Sequence, residues 1–470
     1  IIWNISEAYR IKSDFPKTLL FLKEYQELQR ERFKIYEHNL NIGLRNQLYD
    51  DLVMVYRRIL ELSIDDKDLI KEQYSQHCFL KGREMSRVNQ ISSIIHESND
   101  DILIKTYNNF IAVNKQIATA IEMNLNQRKK EGLDLNSLQN YSDILELQLT
   151  SMASAYEKSQ ADYSFEDIRL ELDNNEVYID VVEMIQPFNS GHGIDDPLVG
   201  DLYHKYYAYI ITKDNLYPKL IDLGFKDNFE NAFLAYEKMI GYKKRSRPSW
   251  LSSNMKEKQD SYNQFWSKFD PYIEGKDKVY FVNEGIYSMI NLDVLYDTAD
   301  STFLDDKVKI VYVSSAENFI NQTKDSDLSS KSEDLHAVII GNPTYLLSGT
   351  QIASIQDSEK SDYDDVFASR SRGLYWIPLP GTGIEINNIS NNLISNGWEV
   401  ELVCCENATE SHIRNVNSPQ ILHIATHGFF SKDRSITTRS GMISQENNII
   451  DNPMINSALV FAGAQNTSNN

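Results

Sequence analysis

The segment with the clearest potential for chemistry is a short apolar run that ends in a Thr-His-Gly corner. It reads Ile421-Leu422-His423-Ile424-Ala425-Thr426-His427-Gly428, which predicts a strand over Ile421–Ala425. His427 would then follow the carboxyl end of a parallel strand, where ligands and catalytic groups gather in α/β sheets. A histidine there can act as a general base near neutral pH. The Gly428 N–H could donate to a developing oxyanion, and glycine allows a substrate carbonyl to approach closely.

Both histidines of this strand also have a plainer interpretation. The spacing alone leaves His427 either a general base or a structural residue. His423 lies four residues earlier, and therefore on the same face, because side chains alternate along a strand. It would either assist His427 or contact a substrate, or be a hydrogen-bonded core histidine, which is the favoured interpretation.

Cysteine usage limits the chemistry further. The chain has three cysteines, Cys78, Cys404 and Cys405, too few for a disulfide framework, and this predicts a reducing, cytoplasmic compartment. Cys404 and Cys405 end a strand predicted over 398–403, and we interpret them as small buried or edge thiols. His77 beside Cys78 offers too few ligands for zinc, so the sequence predicts no metal site and no cofactor.

A region that lacks helix-breaking residues precedes these elements. Of the 19 glycines and 11 prolines in the chain, residues 1–160 contain only four: Gly43, Gly82, Gly132 and Pro16. Apolar residues recur at the spacing of one buried helical face, as in Leu52, Val55, Tyr56, Ile59 and Leu60. Similar but less regular patterns run over Ile102–Ile117 and Ile144–Tyr156. Helix starts are expected near Asp100 and Asp134. We predict an all-helical region, in which a 34-residue repeat is not evident.

In the second half of the chain, segments typical of strands alternate with segments typical of helices. Short apolar or β-branched runs, bounded by Gly, Asn, Asp or Ser, predict strands: Glu176–Val182, Tyr206–Thr212, Lys278–Val282, Lys307–Val313, Leu335–Ile340, Trp398–Val403 and Ile421–Ala425. Helical segments are predicted near 226–240, 255–270 and 383–396, the last with Glu385 in its first turn. Alternation of this kind indicates an α/β domain with a mostly parallel sheet covered on both sides.

Composition excludes some classes of partner. The 470 residues include 68 Asp and Glu against 47 Lys and Arg, a net charge of −21. That balance disfavours phosphate backbones and anionic lipid heads, so neither direct nucleic-acid binding nor a membrane surface is expected. No apolar run approaches the length needed to span a bilayer, and no signal peptide is recognisable.

An ordered series of motifs resembles a known family. Besides His423–Gly428 it includes, in chain order, Glu176–Val182, Tyr203–Thr212, Lys278–Leu292 with Asn283-Glu284-Gly285, Gly341–Tyr345, Leu379–Thr382 with Glu385, Ala408-Thr409, Asn452–Met454 and Ser457–Ala464. The series resembles that of the CHAT family, caspase-like cysteine peptidases commonly fused to tetratricopeptide repeats. The helical region before residue 160 is similar to the connector that precedes the peptidase domain in that family.

The resemblance implies an α + α/β protein. Residues 1–160 would form the helical, repeat-like connector, and residues 165–470 a caspase-like peptidase domain that is incomplete at its C-terminus. The family cuts peptide bonds with a His–Cys dyad, which implies that His427 is the dyad histidine and Gly428 the oxyanion-side glycine. In the family the nucleophile ends the next core strand after the histidine, but no cysteine follows Cys405. We therefore expect a fragment that is inactive alone.

The remaining expectations concern partners. A protein substrate is implied, and the helical region is a candidate surface for a protein partner. A different class stays open, namely a peptidase-like interaction or sensor module without catalysis. The sequence leaves undecided whether the 470 residues are an enzyme.

Overall fold

The computed structural model describes residues 1–36, 42–62, 65–81, 94–95, 100–122, 125–153, 162–187, 202–240, 255–326, 335–349, 351, 376–430 and 457–468. The chain forms two compact units. The first comprises Ile1–Leu40, Leu44–Ser93 and Tyr156–Ser329, and the second comprises Asn41–Gly43, Ile94–Ala155 and Ser330–Asn470.

The part of the chain that the structure describes before residue 176 contains helices and no strand, as predicted. The helices are α1 (Ile2–Ile11), α2 (Phe15–Tyr36), α3 (Ile42–Leu62), α4 (Lys67–Leu80), α5 (Asp101–Glu122), α6 (Leu125–Glu131), α7 (Leu135–Ala153) and α8 (Phe165–Glu171). The predicted starts of α5 and α7 are correct, because Asp100 and Asp134 accept hydrogen bonds from first-turn N–H groups. Ser164 and Asp167 form a reciprocal capping box at α8.

The predicted buried faces are correct for α3 and partly wrong for α5 and α7. All five apolar residues named for α3 are buried. In α5, Ile102 is 70% exposed whereas its neighbour Leu103 is buried, and in α7 Ile144 is exposed whereas Leu145 is buried. Both helices contain more apolar residues than one face can bury, so their mutual packing decides which of the residues are covered.

A five-stranded sheet organises the first unit. Its strands are β1 (Glu176–Pro187), β2 (Leu202–Thr212), β3 (Lys219–Phe225), β4 (Lys278–Val282) and β7 (Lys309–Tyr312), in the order β3-β2-β1-β4-β7. β1, β4 and β7 run parallel, whereas β2 and β3 join antiparallel at one edge. A hairpin of β5 (Tyr296–Asp297) and β6 (Thr302–Phe303) lies apart from this sheet.

Hydrophobic cores cover both faces of this sheet, as its mostly apolar central strands predict. One core joins Val177 and Ile179 to residues of two helices, α9 (Lys226–Ile240) and α10 (Met255–Phe265). The other joins Tyr178 and Val182 to residues of α2, α3, α4 and α8 and of a later helix, α13 (Ala316–Ser326). Two short helices, α11 (Asp270–Ile273) and α12 (Leu304–Lys307), complete the unit. Helices α2–α4 thus share a core with the sheet, and the division near residue 160 stays a prediction.

A cluster of buried charges connects α4 to this sheet. The Asp180 carboxylate of β1 is almost inaccessible and lies 2.7 Å from Lys81 Nζ and 3.1 Å from His77 Nε2. Lys81 Nζ also lies 3.2 Å from a Glu284 oxygen and donates to the Val181 carbonyl. Burial opposes ionisation of Asp180, but the Lys81 ammonium and His77 outweigh it and hold the carboxyl pKa below its usual range.

The second unit contains a three-stranded sheet that is parallel throughout. Its strands are β8 (His336–Pro343), β9 (Glu399–Cys405) and β10 (Ile421–Ala425), in the order β10-β8-β9. Helix α14 (Pro380–Ser395) packs on one face, and residues at and beyond the end of α15 (Glu410–Asn415) pack on the other. Beyond the sheet, β11 (Gly428–Phe430) pairs antiparallel with β12 (Ser457–Leu459), which α16 (Ala464–Ser468) follows.

The predicted α + α/β class with mostly parallel strands is confirmed, but five of the described strands were not predicted, namely β3, β5, β6, β11 and β12. β3 escaped prediction because Lys219–Phe225 is short, contains charged residues and ends beside Gly224. Among the described residues, no helix is long and apolar enough to cross a membrane.

Candidate functional site

The candidate site lies at the carboxyl edge of the three-stranded sheet, where β8 and β10 end side by side. Gly341 of β8 pairs with Ala425 of β10. A Cβ at Gly341 would lie 2.6 Å from the Ile386 side chain and 3.0 Å from the Ala425 carbonyl oxygen. The glycine therefore lets helix α14 and the end of β10 approach β8 closely at this edge of the sheet.

His427 lies two residues past Ala425, the last residue of β10, and its side chain is half-buried between two aromatic rings. The ring centroids of Tyr345 and Trp376 lie 5.3 and 5.5 Å from that of the imidazole. The Tyr345 hydroxyl lies 3.1 Å from Thr426 Oγ1, and Thr426 in turn donates to the Val460 carbonyl. These contacts restrict the rotation of the imidazole within the pocket.

The hydrogen bond of the imidazole defines its tautomer. His427 Nε2 lies 2.8 Å from the backbone carbonyl oxygen of Ile377. A carbonyl only accepts, so Nε2 carries a proton and donates it. In the neutral ring Nδ1 then holds the lone pair. The geometry provides one nitrogen that anchors the ring and a second that can receive a proton.

Gly428 begins β11 beside the imidazole and is exposed. The Val460 N–H donates to the His427 carbonyl, so Gly428 and Leu459 form the next, non-hydrogen-bonded pair of this antiparallel ladder. The Gly428 N–H consequently points away from β12. A Cβ at Gly428 would meet Leu459 Cδ2 at 3.5 Å, an ordinary contact, so the fold itself does not demand glycine here.

Because the fold tolerates a Cβ at position 428, a substitution can test whether the Gly428 N–H has a role in the site. We expect Gly428→Ala to change the free energy of unfolding by less than about 0.5 kcal/mol, as at surface positions. If the N–H faces a reacting carbonyl, as the resemblance implies, the added methyl group should lower kcat/KM for peptide hydrolysis by about tenfold or more in an extended chain that carries a nucleophilic cysteine. Urea denaturation and steady-state kinetics measure the two quantities. An alanine variant with wild-type kinetics would remove Gly428 from the site.

His423 has a carboxylate partner. Its Nε2 lies 3.0 Å from Glu385 Oε1 of helix α14, and both side chains are partly exposed. The interpretation of Glu385 as a first-turn residue was wrong, because α14 starts at Pro380, with Leu379 as its N-cap. Glu385 therefore lies in the second turn and is the hydrogen-bond partner of His423. Within the described residues, no hydrogen bond joins His423 to His427.

Cys404 and Cys405 end β9, on the far side of β8 from β10. Two strand spacings separate the ends of β9 and β10, roughly 10 Å between backbones. The two sulfurs lie 2.8 Å apart and contact each other. Within the part of the chain that the structure describes, neither sulfur is hydrogen-bonded to the imidazole of His427. In the same part of the chain, no group of three or more His, Cys, Asp or Glu residues could hold a metal ion.

Comparison with protein families agrees with this topology. The family model of the CHAT domain matches residues 262–469. The chain contains a CHAT domain. The match starts within α10 and includes β4, β7, the three-stranded sheet and the candidate site. No curated protein matches the chain.

Several features of this CHAT domain were not predicted from the sequence. Tyr345 belongs to a motif of the resemblance, but its role beside His427 had no signal in the sequence. Any residue can supply a backbone carbonyl, so nothing in the sequence indicated that Ile377 would bind the imidazole. The Gln465 side chain accepts from the backbone N–H of Trp376 while its own backbone N–H donates to the Tyr345 carbonyl, which ties α16 to the backbone of both aromatic residues. The motif Asn452–Met454 lies outside the described residues.

Proposed function

We propose that these 470 residues are part of a caspase-like cysteine endopeptidase. In this enzyme His427 would accept the proton of a cysteine nucleophile and later donate it to the leaving group. The anchored imidazole is the observation that carries the proposal. Its Nε2 bonds to the Ile377 carbonyl, and Nδ1 is the nitrogen with a lone pair. An orienting acceptor behind the base is the arrangement that nucleophilic catalysis requires. The CHAT domain match supports the same reaction class.

The chemistry then follows from the residues in place. A cysteine thiolate would attack the scissile carbonyl while His427 holds the thiol proton. The imidazolium would donate this proton to the leaving amine, and the ring would next activate the water that releases the acyl group. Throughout, the bond to Ile377 keeps the ring in one orientation. The Gly428 N–H is the proposed donor to the oxyanion.

The nucleophile is proposed to come from outside these 470 residues. No cysteine follows His427, and the thiols of β9 are separated from β10 by a whole strand. Cys78 lies in α4, and burial raises the pKa of its thiol well above the usual range, which disfavours the reactive thiolate. Each of the three cysteines is therefore a poor candidate.

We further propose that residues 165–470 supply the peptidase domain and that residues 1–160 receive a protein partner. The substrate class is a protein. A cytoplasmic location fits the three free cysteines. The net charge of −21 argues against nucleic acid as a direct ligand.

Two gene products test the proposal directly. We expect the 470-residue chain to leave a protein substrate uncut, whereas the same chain extended to include a downstream cysteine cleaves it. Cys404→Ser combined with Cys405→Ser should retain activity within about twofold, because surface changes away from the reacting atoms leave the barrier nearly unchanged. Gel electrophoresis and mass spectrometry of the products measure cleavage.

Two outcomes would contradict this assignment. One is turnover by the 470-residue chain, which would require a nucleophile within it. The other is loss of turnover in the folded double-serine variant of the extended chain, which would move the nucleophile to β9. An extended chain that binds its target without cutting it would favour the interaction-module alternative.

A further inference from the structure

The two neighbouring cysteines at the end of β9 have an unusual mutual geometry. Consecutive side chains of a strand normally point to opposite faces, which would separate the two sulfurs. Here Cys405 has a φ of 62°, in the left-handed region, and this turns its side chain back toward that of Cys404. The sulfurs consequently lie 2.8 Å apart. The side-chain parity that holds along a regular strand therefore fails at this pair.

The surrounding backbone holds this turn in place. The Cys405 carbonyl accepts a hydrogen bond from the Thr344 N–H at 3.0 Å, and the Cys404 carbonyl accepts one from the Asn407 N–H at 3.1 Å. Cys405 also pairs with Pro343 of β8 across a register shift. Because neighbouring elements fix both residues, the proximity of the thiols belongs to the folded state. Both side chains are partly exposed, so a small reagent can reach them.

We propose that Cys404 and Cys405 form a redox-active vicinal dithiol, which closes to an intrachain disulfide in exchange with a low-molecular-weight disulfide. The sulfurs must approach by less than 1 Å from their present separation to reach the roughly 2.05 Å of an S–S bond. This site is independent of peptide hydrolysis and of His427. Reversible formation of a disulfide is a reaction that a single thiol at the edge of a sheet could not carry out within one chain.

The exchange proceeds in two balanced steps. The Cys404 thiolate attacks one sulfur of the small disulfide, so that a mixed disulfide forms and one small thiol leaves. The Cys405 sulfur, after losing its proton to solvent, attacks the Cys404 sulfur and releases the second small thiol. The small disulfide is thereby reduced to two thiols, and the protein loses two hydrogen atoms.

The electrostatics of the pair support this order of attack. The hydrogen bond with Cys404 raises the pKa of the Cys405 thiol to about 11, with burial adding to the effect. Cys405 therefore keeps its proton in the reduced pair and is suited to act second. Once Cys404 is part of a mixed disulfide, its sulfur no longer forms this hydrogen bond with the Cys405 thiol. The main cause of the raised pKa of Cys405 is then removed. A disulfide between neighbours closes a small ring through their peptide bond, and such strained disulfides are readily reduced again.

Oxidised glutathione is a suitable probe, and Cys78 is the internal control. We expect the number of free thiols per unfolded chain to fall from three to one after incubation of the folded protein with this reagent. The peptide that carries Cys404 and Cys405 should lose two hydrogen atoms and resist alkylation, whereas Cys78 should remain alkylatable. Dithiothreitol should restore all three thiols.

Single variants test the order of the two steps. In Cys405→Ser the exchange should stop at a glutathione adduct on Cys404, and in Cys404→Ser no intrachain disulfide should form at this pair. Three free thiols in the treated wild type, a lasting glutathione adduct on it, or a disulfide between two chains would overturn the proposal. The wild-type mass spectrum decides the outcome even if a variant fails to fold.

Discussion

Replacing His427 with alanine is expected to lower kcat/KM for peptide hydrolysis by about 10³-fold in an extended gene product that carries the nucleophile. In the proposed mechanism the imidazole takes the thiol proton and returns it to the leaving amine, while its hydrogen bond to the Ile377 carbonyl keeps the ring oriented for both transfers. The variant should fold, because the ring is only half-buried. Steady-state cleavage of a protein substrate measures the rate, and circular dichroism measures the fold.

Two histidines of the same unit provide matched controls. His412 of α15 lies 3.2 Å from Glu401 and has no contact with His427 among the described residues, so His412→Ala should retain the wild-type rate within about twofold. His423→Ala removes the hydrogen bond with Glu385 and should lower the rate by less than about tenfold, since His423 acts only through the packing of β10 on α14. Equal losses in all three variants would show that the imidazole of His427 has no special role.

The sequence predicted strand β10, which leads into the site, from the pattern of a short apolar run. The predicted bounds of β4 and β10 coincide with the observed ones. Both strands are short apolar runs followed by a polar residue, Asn283 or Thr426. Among the described strands β4 is paired on both sides, whereas β10 lies at an edge and pairs with β8 alone. The position of His427 past the sheet edge followed directly from the end of β10.

The rest of the site depends on contacts between residues that are distant in the sequence. Ile377 contributes a carbonyl that every residue type possesses, fifty positions before the imidazole it anchors. Glu385 was assigned to a helix start because the predicted helix began too late, and its true partner is His423. The close approach of Cys404 and Cys405 depends on a single left-handed residue, which a pattern of strand-forming side chains conceals.

Buried charge raises a different problem for sequence reasoning. Asp180 lies within an apolar, β-branched run, which predicted the strand but gave no sign that the carboxylate would be almost fully buried. Its partners Lys81 and His77 come from α4 and the residue after it, about one hundred positions earlier. Such a pair is costly to break, because the remaining ion stays buried without its counter-charge.

Asp180→Asn is therefore expected to destabilise the first unit by about 3 kcal/mol, although it preserves the shape of the side chain. Glu284 and the Val181 carbonyl still contact Lys81, which places the loss at the lower end for a broken buried ion pair. Urea denaturation followed by the fluorescence of the buried Trp266 measures this unit. The control is Asp222→Asn on β3, an exposed carboxylate 2.5 Å from Lys205, which should cost less than about 1 kcal/mol.

The pH dependence and a second substitution distinguish charge from shape. The pKa of Asp180 is lowered by folding, so its contribution is complete above the unfolded value of about 3.9 and is lost as the pH falls through the folded value. The neighbouring carboxylates raise the pKa of Lys81 despite its burial, so that contribution persists until the pH exceeds about 10.4. The difference between wild type and Asp180→Asn should hence shrink in acid, as the pH falls through the folded pKa of Asp180. Adding Lys81→Met to Asp180→Asn should recover most of the loss, whereas a double variant less stable than the single one would show that the pair is not the cause.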